Sequence, residues 1–490
     1  MDQDSGWETT GAAPTSWLGG RPTGAGDRPT GDRPTGDRPT GAGDPSVSDR
    51  NEAVCVIGAG ATGLAAVKNL REQGFAVDCY ERETGVGGLW NWRHDRSPVY
   101  ASAHLISSKP GSQYPDFPMP DDWPDYPHHT LVHSYLERYA EHFGLREHIW
   151  FGTEVVRVSP AGDPAAGYWD VTTRVGQRER TSRYAAVVVA NGHHWSPKLP
   201  RYDGLSEYRG EVIHASSYKD PAQLRGRKVL VIGGGNTGCD IAAEAAQQAA
   251  RCWHSTRRGY WYTPKYLFGR PADQVNDLVA LLRLPLRLRQ WLGQREVRRA
   301  VGDLTRFGLP RPDHRLYETH PIVNSQLVYH VGHGDLQPVG EVARFERYSV
   351  VLRDDREIEP DLVIMATGYL PRFEFLTPDL VAADGDGRPH LHLHAFSRQH
   401  PTLFVAGLVQ PDGGILPMAH WQSVVFARWL RLRATDPARA ATFWTSVAGA
   451  SDQRFTQAKV ADSTRHWFEI NHVVYLRALQ HVLDELEAAR

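Results

Sequence analysis

The sequence predicts an α/β fold with two Rossmann-like dinucleotide-binding domains, one inserted into the other, behind a disordered N-terminal tail. Two glycine-rich motifs carry this prediction, because each follows a run of buried-strand residues and opens an alanine-rich helical stretch. Two more apolar runs end in glycine, YAAVVVANG at 184–192 and DLVIMATG at 361–368. We interpret them as buried strands that lead into loops.

The first motif is Gly58-x-Gly60-x-x-Gly63, which lies between an apolar run that begins at Ala53 and a helical stretch. In this pattern the first glycine makes a tight turn, the second lets a pyrophosphate approach the backbone, and the third lets the helix pack closely. The next strand ends at Glu81, near the offset of about 20 residues at which an acid binds a ribose hydroxyl. An acid at this point suits FAD.

The second motif is Gly233-x-Gly235-x-x-Gly238, and it follows an apolar run that begins at Lys228. Its second strand ends in STRR at 255–258 rather than in an acid. A carboxylate would repel a ribose 2′-phosphate, whereas an arginine clamps it through two hydrogen bonds. We therefore expect this site to prefer NADPH over NADH.

A chain with two such sites is expected to pass hydride from one nucleotide to the other, as an oxidoreductase does. Disulfide reductases share this arrangement, but they need a redox-active cysteine pair. None of the four cysteines lies in a C-x-x-C pair, which also speaks against a structural zinc site. Oxygen or a quinone remains as the final electron acceptor.

The composition narrows the partners and the compartment. The chain has 490 residues and a formal net charge of −2, so no global field draws it to nucleic acid or to an anionic membrane. No apolar run reaches the roughly 18 residues that span a bilayer, and the first residues, MDQDSGWETT, lack the features of a signal peptide. We expect a cytoplasmic enzyme without a transmembrane anchor that acts on a small-molecule substrate, and a homodimer stays open.

Three histidine-rich segments suggest a metal site, namely HHT at 128–130, HHW at 193–195 and HLHLH at 390–394, and the last has the spacing H-x-H-x-H. Alternate residues of a strand face the same side, which would bring its three histidines together. No acid or cysteine accompanies them in a ligand pattern, so we interpret them as surface or loop histidines and predict no metal.

Four parts make up the predicted organisation. Residues 1–50 contain GDRPT three times among Gly, Pro, Ser and Thr, and such a stretch cannot bury enough apolar surface to become ordered. We expect the FAD-binding domain in 51–200 and again in 326–490, where it ends in helices, and the NADPH-binding domain in 201–325. The Arg-, Leu- and Pro-rich stretch at 270–340 shows no pattern that assigns its secondary structure.

The motifs together resemble those of the flavin-containing monooxygenases over nearly all of residues 52–435. The family signature F-x-G-x-x-x-H-x-x-x-aromatic is matched by YRGEVIHASSY at 208–218, with Tyr208 in place of the leading phenylalanine. Four further blocks follow the family's pattern: ER-x-x-x-x-GGLW at 81–90, YPDFPMPDDWPDY at 114–126, STR-x-G-x-W at 255–261 and ATG at 366–368.

This resemblance implies the chemistry and the residues that hold the cofactors. NADPH reduces FAD, O2 adds to the flavin C4a as a hydroperoxide, and one oxygen atom passes to a soft nucleophile, commonly an amine nitrogen or a sulfur. The residues expected to hold FAD are Gly58, Gly60, Ala61, Thr62, Gly63, Glu81, Leu89, Trp90 and Gln410. Those expected to hold NADPH are Gly233, Gly235, Asn236, Thr237, Gly238, Thr256 and Arg257.

One departure from the family pattern lies near the expected flavin site. Many members have an asparagine ahead of a conserved lysine, and here Ile106 stands in its place, followed by Ser107, Ser108 and Lys109. Isoleucine cannot form a side-chain hydrogen bond. Either one of the two serines supplies that contact, or NADP⁺ and backbone groups stabilise the hydroperoxide alone. We therefore take Ser107, Ser108 and Lys109 as candidate catalytic residues.

Three alternatives to N- or S-oxygenation stay open. Baeyer–Villiger oxygenation of a ketone needs positive charge near the flavin, and members resembling that class continue the signature with Trp and then Pro or Asp, whereas Lys219 follows Tyr218 here. An NADPH oxidase that releases hydrogen peroxide is favoured by Ile106. A non-catalytic nucleotide sensor is disfavoured by two intact motifs. In the signature itself, we expect His214 and Tyr218 to brace a domain junction rather than to take part in chemistry.

Overall fold

The computed structural model describes residues 48–161, 167–281, 284–319, 322–383, 387–450, 455 and 466–487. Most of the predicted tail, residues 1–47, lies outside the described residues. The first strand begins at Ser48, not at Ala53, because residues 48–50 pair with residues 182–184 of a neighbouring strand. The last three residues of the predicted tail therefore belong to the first sheet.

Ten α-helices, numbered in chain order, are found in the described residues. They are α1 (Ala61–Glu72), α2 (Lys109–Ser112), α3 (His129–His142), α4 (Asn236–Gln248), α5 (Ala272–Leu281), α6 (Leu286–Val301), α7 (Gln326–His333), α8 (Ile415–Thr435), α9 (Pro437–Gly449) and α10 (His472–Glu487). None of the helices in these described ranges is long and apolar enough to cross a membrane.

A mixed sheet of nine strands forms the first half of the fold. Its central strand, Ser48–Ile57, pairs in parallel with Ala76–Tyr80 on one side and with Arg178–Val189 on the other. The remaining strands are Ile149–Trp150, Glu154–Pro160, Trp169–Val175, Leu391–His392, Phe396–Ser397 and Leu403–Val405. Helix α1 packs between this sheet and α8, and the apolar face of α10 covers α8.

A parallel sheet of five strands forms the second half. Its strands, in spatial order, are Leu336–Val339, Arg251–Ser255, Lys228–Ile232, Leu362–Met365 and Glu211–His214. Two of them lie beyond residue 325, so this sheet runs past the predicted end of the NADPH-binding domain. The sequence offered a strand at 361–368 but no partner for it, and the pairing of Leu362 with Val229 supplies that partner.

Small sheets complete the architecture. They pair Tyr262–Thr263 with Ile322–Val323, Tyr266–Leu267 with Arg270–Pro271, Ser196–Pro197 with Tyr369–Leu370, and Gln410–Pro411 with Glu469–Ile470, and they join Val342–Phe345, Val350–Leu352 and Glu357–Ile358. The predicted α/β class is therefore confirmed. The 270–340 stretch, which the sequence left unassigned, contains α5, α6 and α7.

Candidate functional site

The first glycine-rich turn joins the strand Ser48–Ile57 to α1. Gly58 has a φ of +102°, and a Cβ there would lie 2.7 Å from the carbonyl oxygen of Ala190. A Cβ on Gly63 would lie 1.8 Å from the carbonyl oxygen of Gly58, so only glycine lets the helix approach its own turn this closely. Gly60 begins α1 without a side-chain cap. The first N–H groups of α1 are thus left to an anion such as a pyrophosphate.

A second glycine segment lies against this turn. A Cβ on Gly88 would lie 2.9 Å from the Cα of Gly60, and Gly88 itself has a φ of +53°. Just after it, the side-chain oxygen of Asn91 is buried and has no hydrogen-bond partner among the described residues. A backbone cradle beside an unsatisfied buried acceptor fits a bound dinucleotide. The block at 81–90 therefore meets the first motif in space, with Leu89 and Trp90 partly buried beside it.

Glu81 closes this turn from the end of the neighbouring strand. Its carboxylate accepts hydrogen bonds from the backbone N–H of Ala59 at 2.7 Å and of Glu83 at 2.9 Å. Burial raises the pKa of Glu81, and these two N–H groups oppose that shift. Each oxygen keeps a lone pair beyond its backbone bond, so the carboxylate can still accept from a ribose hydroxyl. Glu81 thus also fixes the shape of the glycine turn.

The second glycine-rich turn joins the strand Lys228–Ile232 to α4 and repeats the first. Gly233 has a φ of +129°, and a Cβ there would lie 2.2 Å from the carbonyl oxygen of Ala366. A Cβ on Gly238 would lie 2.0 Å from the carbonyl oxygen of Gly233, and Gly235 begins α4 without a side-chain cap. Each turn is therefore covered by the end of one of the two predicted apolar runs, 184–192 for the first and 361–368 for the second.

Polar and basic groups lie at the end of the strand Arg251–Ser255. The hydroxyl oxygen of Thr256 is buried and has no hydrogen-bond partner in the described part of the chain, while Arg257 is exposed. Burial lowers the pKa of Lys198, and the nearby charge of Arg257 lowers it further. Two cations beside an unsatisfied hydroxyl fit a phosphate-bearing ribose. At the start of α4, Asn236 accepts a hydrogen bond from the backbone N–H of Val323 at 2.9 Å. This residue, which is predicted to bind NADPH, therefore also holds the strand Ile322–Val323.

The candidate residues at 107–109 differ in how far they are buried and engaged in hydrogen bonds. Ser108 is fully buried, and its backbone N–H and its hydroxyl both donate to Oδ2 of Asp273 at 2.7 Å. Lys109 donates to the backbone carbonyls of Pro120, Asp121 and Trp123 at 2.8 to 3.0 Å. Ser107 is half-buried, so it is more accessible than the fully buried Ser108.

The segment around Gln410 is held from the C-terminus of the chain. Gln410 donates its backbone N–H to the carbonyl of Phe468 at 2.6 Å, and two residues later Asp412 contacts Nδ1 of His472 at 2.7 Å. The other ring nitrogen, Nε2, lies 3.1 Å from Oδ1 of Asp277. Burial alone would lower the pKa of His472, but its hydrogen bonds to the two carboxylates outweigh burial and raise that pKa to about 10.

Comparison with known proteins decides the family. The flavin-binding monooxygenase-like model (FMO-like) matches residues 51–486. The chain belongs to this family. It is 33% identical over 397 residues to flavin-containing monooxygenase 5 of Oryctolagus cuniculus, a match that covers 77% of this chain and 72% of that protein. It is 31% identical over 445 residues to dimethylaniline monooxygenase (N-oxide-forming) 2 of Rattus norvegicus, covering 87% and 81%.

A solved structure shares the fold. The flavin-containing monooxygenase from Stenotrophomonas maltophilia is 23% identical and superposes with a TM-score of 0.61, covering 79% of this chain and 100% of that one. Family membership makes the chain a flavoprotein monooxygenase, and the predicted cofactors FAD and NADPH are those of its family. The predicted oxidoreductase class is confirmed.

The signature strip at 208–218 links the two halves of this monooxygenase. Ser216 donates its backbone N–H to Nδ1 of His214, so Nε2 is left to donate to the carbonyl of Gly368 at 3.1 Å. The hydroxyl of Tyr218 donates to Glu244 of α4 at 2.6 Å. Next to the strip, Lys219 donates to the carbonyl of Ser97 near the first glycine cradle. Of these contacts, the one made by Lys219 joins the two halves, and a bracing role for His214 and Tyr218 stays a prediction.

Several polar residues of this site were not predicted from the sequence. Asp273 and Asp277 lie in α5, inside the unassigned stretch, and a lone aspartate in a helix gives no sequence signal. Asp412 and His472 are far apart in the chain, so only folding brings them together. Among the described residues, no group of three or more His, Cys, Asp and Glu has metal-binding geometry.

Proposed function

We propose that this monooxygenase transfers one oxygen atom of O2 to the nitrogen or sulfur of a small, soft nucleophile, with NADPH as the reductant. The observation that carries the proposal is the identity of about one third to relatives of the N-oxide-forming type over 445 residues. The signature ending supports the same class, since Lys219 follows Tyr218 where members resembling the Baeyer–Villiger class have Trp and then Pro or Asp. A cytoplasmic location and a homodimer remain predictions.

We assign FAD to the first glycine turn and NADPH to the second. In this assignment the pyrophosphate of FAD lies on the N-terminus of α1 at Gly60, Ala61 and Thr62. The ribose-phosphate of NADPH lies between Thr256, Arg257 and Lys198. The NADPH-binding unit extends to Met365, because that strand completes its sheet. When bound, the flavin supplies the oxygen activation, and the protein orients the substrate and excludes water.

Aromatic packing under the first turn supports water exclusion there. The fully buried Tyr114 donates its hydroxyl to the carbonyl of Ala61 at 2.6 Å. Its ring packs on Tyr139 at a centroid distance of 4.1 Å and on Tyr135 at 5.8 Å. These buried rings form a largely apolar wall beneath the start of α1, and such a wall favours oxygen transfer over loss of peroxide.

The environment of Lys109 argues against Baeyer–Villiger oxygenation. That reaction requires a cation that stabilises a negatively charged peroxide. The ammonium of Lys109 has three donors, and the carbonyls of Pro120, Asp121 and Trp123 accept all three. The three N–H groups of the ammonium therefore bond to that loop rather than to a ligand.

Release of hydrogen peroxide is a second candidate function, and Ile106 is the observation that favours it. Its side chain is 39% exposed and offers no hydrogen bond where many relatives have an amide. Ser108 does not replace that amide, because its hydroxyl donates to Asp273. Ser107 is then the remaining side chain of this segment that can compensate.

The deciding experiment measures NADPH consumption, product and peroxide together in air-saturated buffer, with a panel of amines, sulfides and ketones. We expect an N-oxide or S-oxide in proportion to the NADPH oxidised. An ester or lactone from a ketone would replace the proposal with Baeyer–Villiger chemistry. Peroxide equal to NADPH with every compound would make the chain an oxidase.

A further inference from the structure

Through Asp273, helix α5 contacts the segment 107–112, which contains the three candidate catalytic residues. Oδ2 of Asp273 accepts from both the backbone N–H and the hydroxyl of Ser108 at 2.7 Å. The backbone of Gly111 approaches the same oxygen so closely that a Cβ there would lie 3.2 Å from it. Asp273 thus binds the start of α2 from a helix that lies, along the chain, between the strands Arg251–Ser255 and Leu336–Val339 of the second sheet.

One turn further along α5, Asp277 contacts His472, which in turn binds Asp412 in the segment 410–414. Oδ1 of Asp277 lies 3.1 Å from Nε2 of His472, whose Nδ1 lies 2.7 Å from Oδ1 of Asp412. Asp412 also accepts from the side chain of Asn471 at 2.7 Å and from the backbone N–H of His472 at 2.9 Å. Asp412 is two residues from Gln410, the residue assigned to the flavin from the family resemblance.

The two segments also touch each other. A Cβ on Gly414 would lie 2.3 Å from the carbonyl oxygen of Gly111, so the two backbones pass in direct contact. Asp273 and Asp277 are four residues apart and lie on the same face of α5. A single helix of the inserted unit therefore holds 108–111 and 410–414 at their point of contact.

We propose that Asp273 and Asp277 are positioning residues that fix the flavin-side segments 107–112 and 410–414 relative to one another, and that α5 thereby couples the NADPH-binding unit to the flavin environment. This inference rests on the proposed placement of the flavin beside Ser107 and Gln410. We call the two sets of contacts, Asp273 with Ser108 and Asp277 with His472 and Asp412, the α5 bridge.

The α5 bridge is suited to positioning because its links are short, and although the Asp277 side chain is half exposed, those of His472 and Asp412 are mostly enclosed. A hydrogen bond to a carboxylate is directional and roughly twice as strong as a neutral one. Removing one member of the His472 group leaves the others charged in a poorly solvated place, so the 410–414 segment must move toward water. A shift of a few tenths of an ångström beside a flavin changes both its absorption and its access to water.

Asp277→Asn is the main test, with Asp277→Glu as the charge-preserving rescue and His481→Gln as the matched control. His481 pairs with Glu485 on the exposed side of α10, so its loss removes an ion pair from the same helix without touching the bridge. Hydrogen exchange of the peptides covering 107–112 and 410–414 is measured on the purified flavoprotein, together with its visible flavin spectrum and its ratio of peroxide to NADPH.

In Asp277→Asn we expect exchange in 410–414 to rise by about tenfold, since an ion-pair member is lost. We also expect a shifted flavin spectrum and a higher peroxide ratio, with Asp277→Glu restoring both and His481→Gln matching the parent protein. Unchanged exchange would overturn the bridge. Faster exchange with an unchanged spectrum and peroxide ratio would also overturn the proposal, because the contacts would then serve stability alone. Whether the parent enzyme makes an N- or S-oxide is measured separately, so a failure of the proposed function is distinguishable.

Discussion

The carbonyl oxygen of Ala366 occupies the place that a side chain on Gly233 would need, since a Cβ there would lie 2.2 Å away. In the other half of the fold, the carbonyl of Ala190 stands in the same relation to Gly58 at 2.7 Å. The two nucleotide turns are thus built alike, each closed by the carboxyl end of a third parallel strand. Each turn can therefore be disrupted separately.

Gly233→Ala should abolish flavin reduction by NADPH while FAD stays bound. The φ of +129° and the clash with Ala366 force the second turn open, whereas the first turn is untouched. Anaerobic stopped-flow reduction, compared with reduction by dithionite, reads out the difference. Gly332→Ala is the control, because its new Cβ would lie 3.8 Å from its nearest neighbour in the same unit. Normal reduction by NADPH in Gly233→Ala would contradict the assignment.

Arg257→Gln should reduce the preference for NADPH over NADH by about 10- to 100-fold, the range expected for one charge-assisted hydrogen bond to the 2′-phosphate. KM should rise for NADPH and change little for NADH. Arg251→Gln is the control, because Arg251 is exposed at the opposite end of the same strand and stacks on Trp253. An unaltered cofactor preference would move the phosphate site away from Arg257.

Ile106→Asn should lengthen the lifetime of the oxygenated flavin and lower the yield of peroxide per NADPH. The new amide restores a hydrogen-bonding group in a segment where Ser108 is already engaged by Asp273. Ile106→Val keeps the apolar character and should behave like the parent enzyme. Stopped-flow reoxidation no slower in Ile106→Asn than in Ile106→Val would show that the missing amide does not limit this step.

His214→Ala should slow reduction by NADPH, or lower thermal stability, before it affects oxygen transfer. His214 joins its own strand to Gly368 and lies 5.2 Å, centroid to centroid, from the ring of Tyr369. The loss of a buried hydrogen bond and of ring packing costs about 1–3 kcal/mol. The rates of reduction and of product formation are compared in single turnovers. Loss of oxygen transfer alone, at an unchanged reduction rate, would make His214 catalytic.

His472→Gln should lose stability in a pH-dependent way. The folded pKa of about 10 lies above the unfolded value of about 6.5. The extra stability of the parent protein is therefore fully present below about pH 6.5 and is lost as pH rises through about 10. We expect a difference on the order of 3 kcal/mol at the acidic end, measured by urea unfolding of both proteins at several pH values. His481→Gln should show no such trend, and a constant difference for His472→Gln would exclude the charged bridge.

Local patterns predicted most of the nucleotide-binding framework. The glycine spacing identified both turns, and the apolar runs at 184–192 and 361–368 proved to be strands. Each of these features is set by neighbours in sequence. That Glu81 selects FAD and Arg257 selects NADPH stays a prediction. The secondary structure of 270–340 could not be predicted, because α5 is short, contains no known motif and mixes polar with apolar residues. The role of its two aspartates becomes visible only where the fold brings them to Ser108 and His472.

The sequence by itself determined the α/β class, the two nucleotide turns and the flavin-binding monooxygenase-like family. Those features depend on backbone conformation and short-range packing, which glycine and apolar residues impose locally. Only the tertiary structure decided that the second sheet reaches Met365, that Ser108 is engaged by Asp273 rather than free, and that α5 meets the 410–414 segment through His472. Such contacts join residues more than a hundred positions apart, and no local pattern specifies which distant partner a buried charge will find.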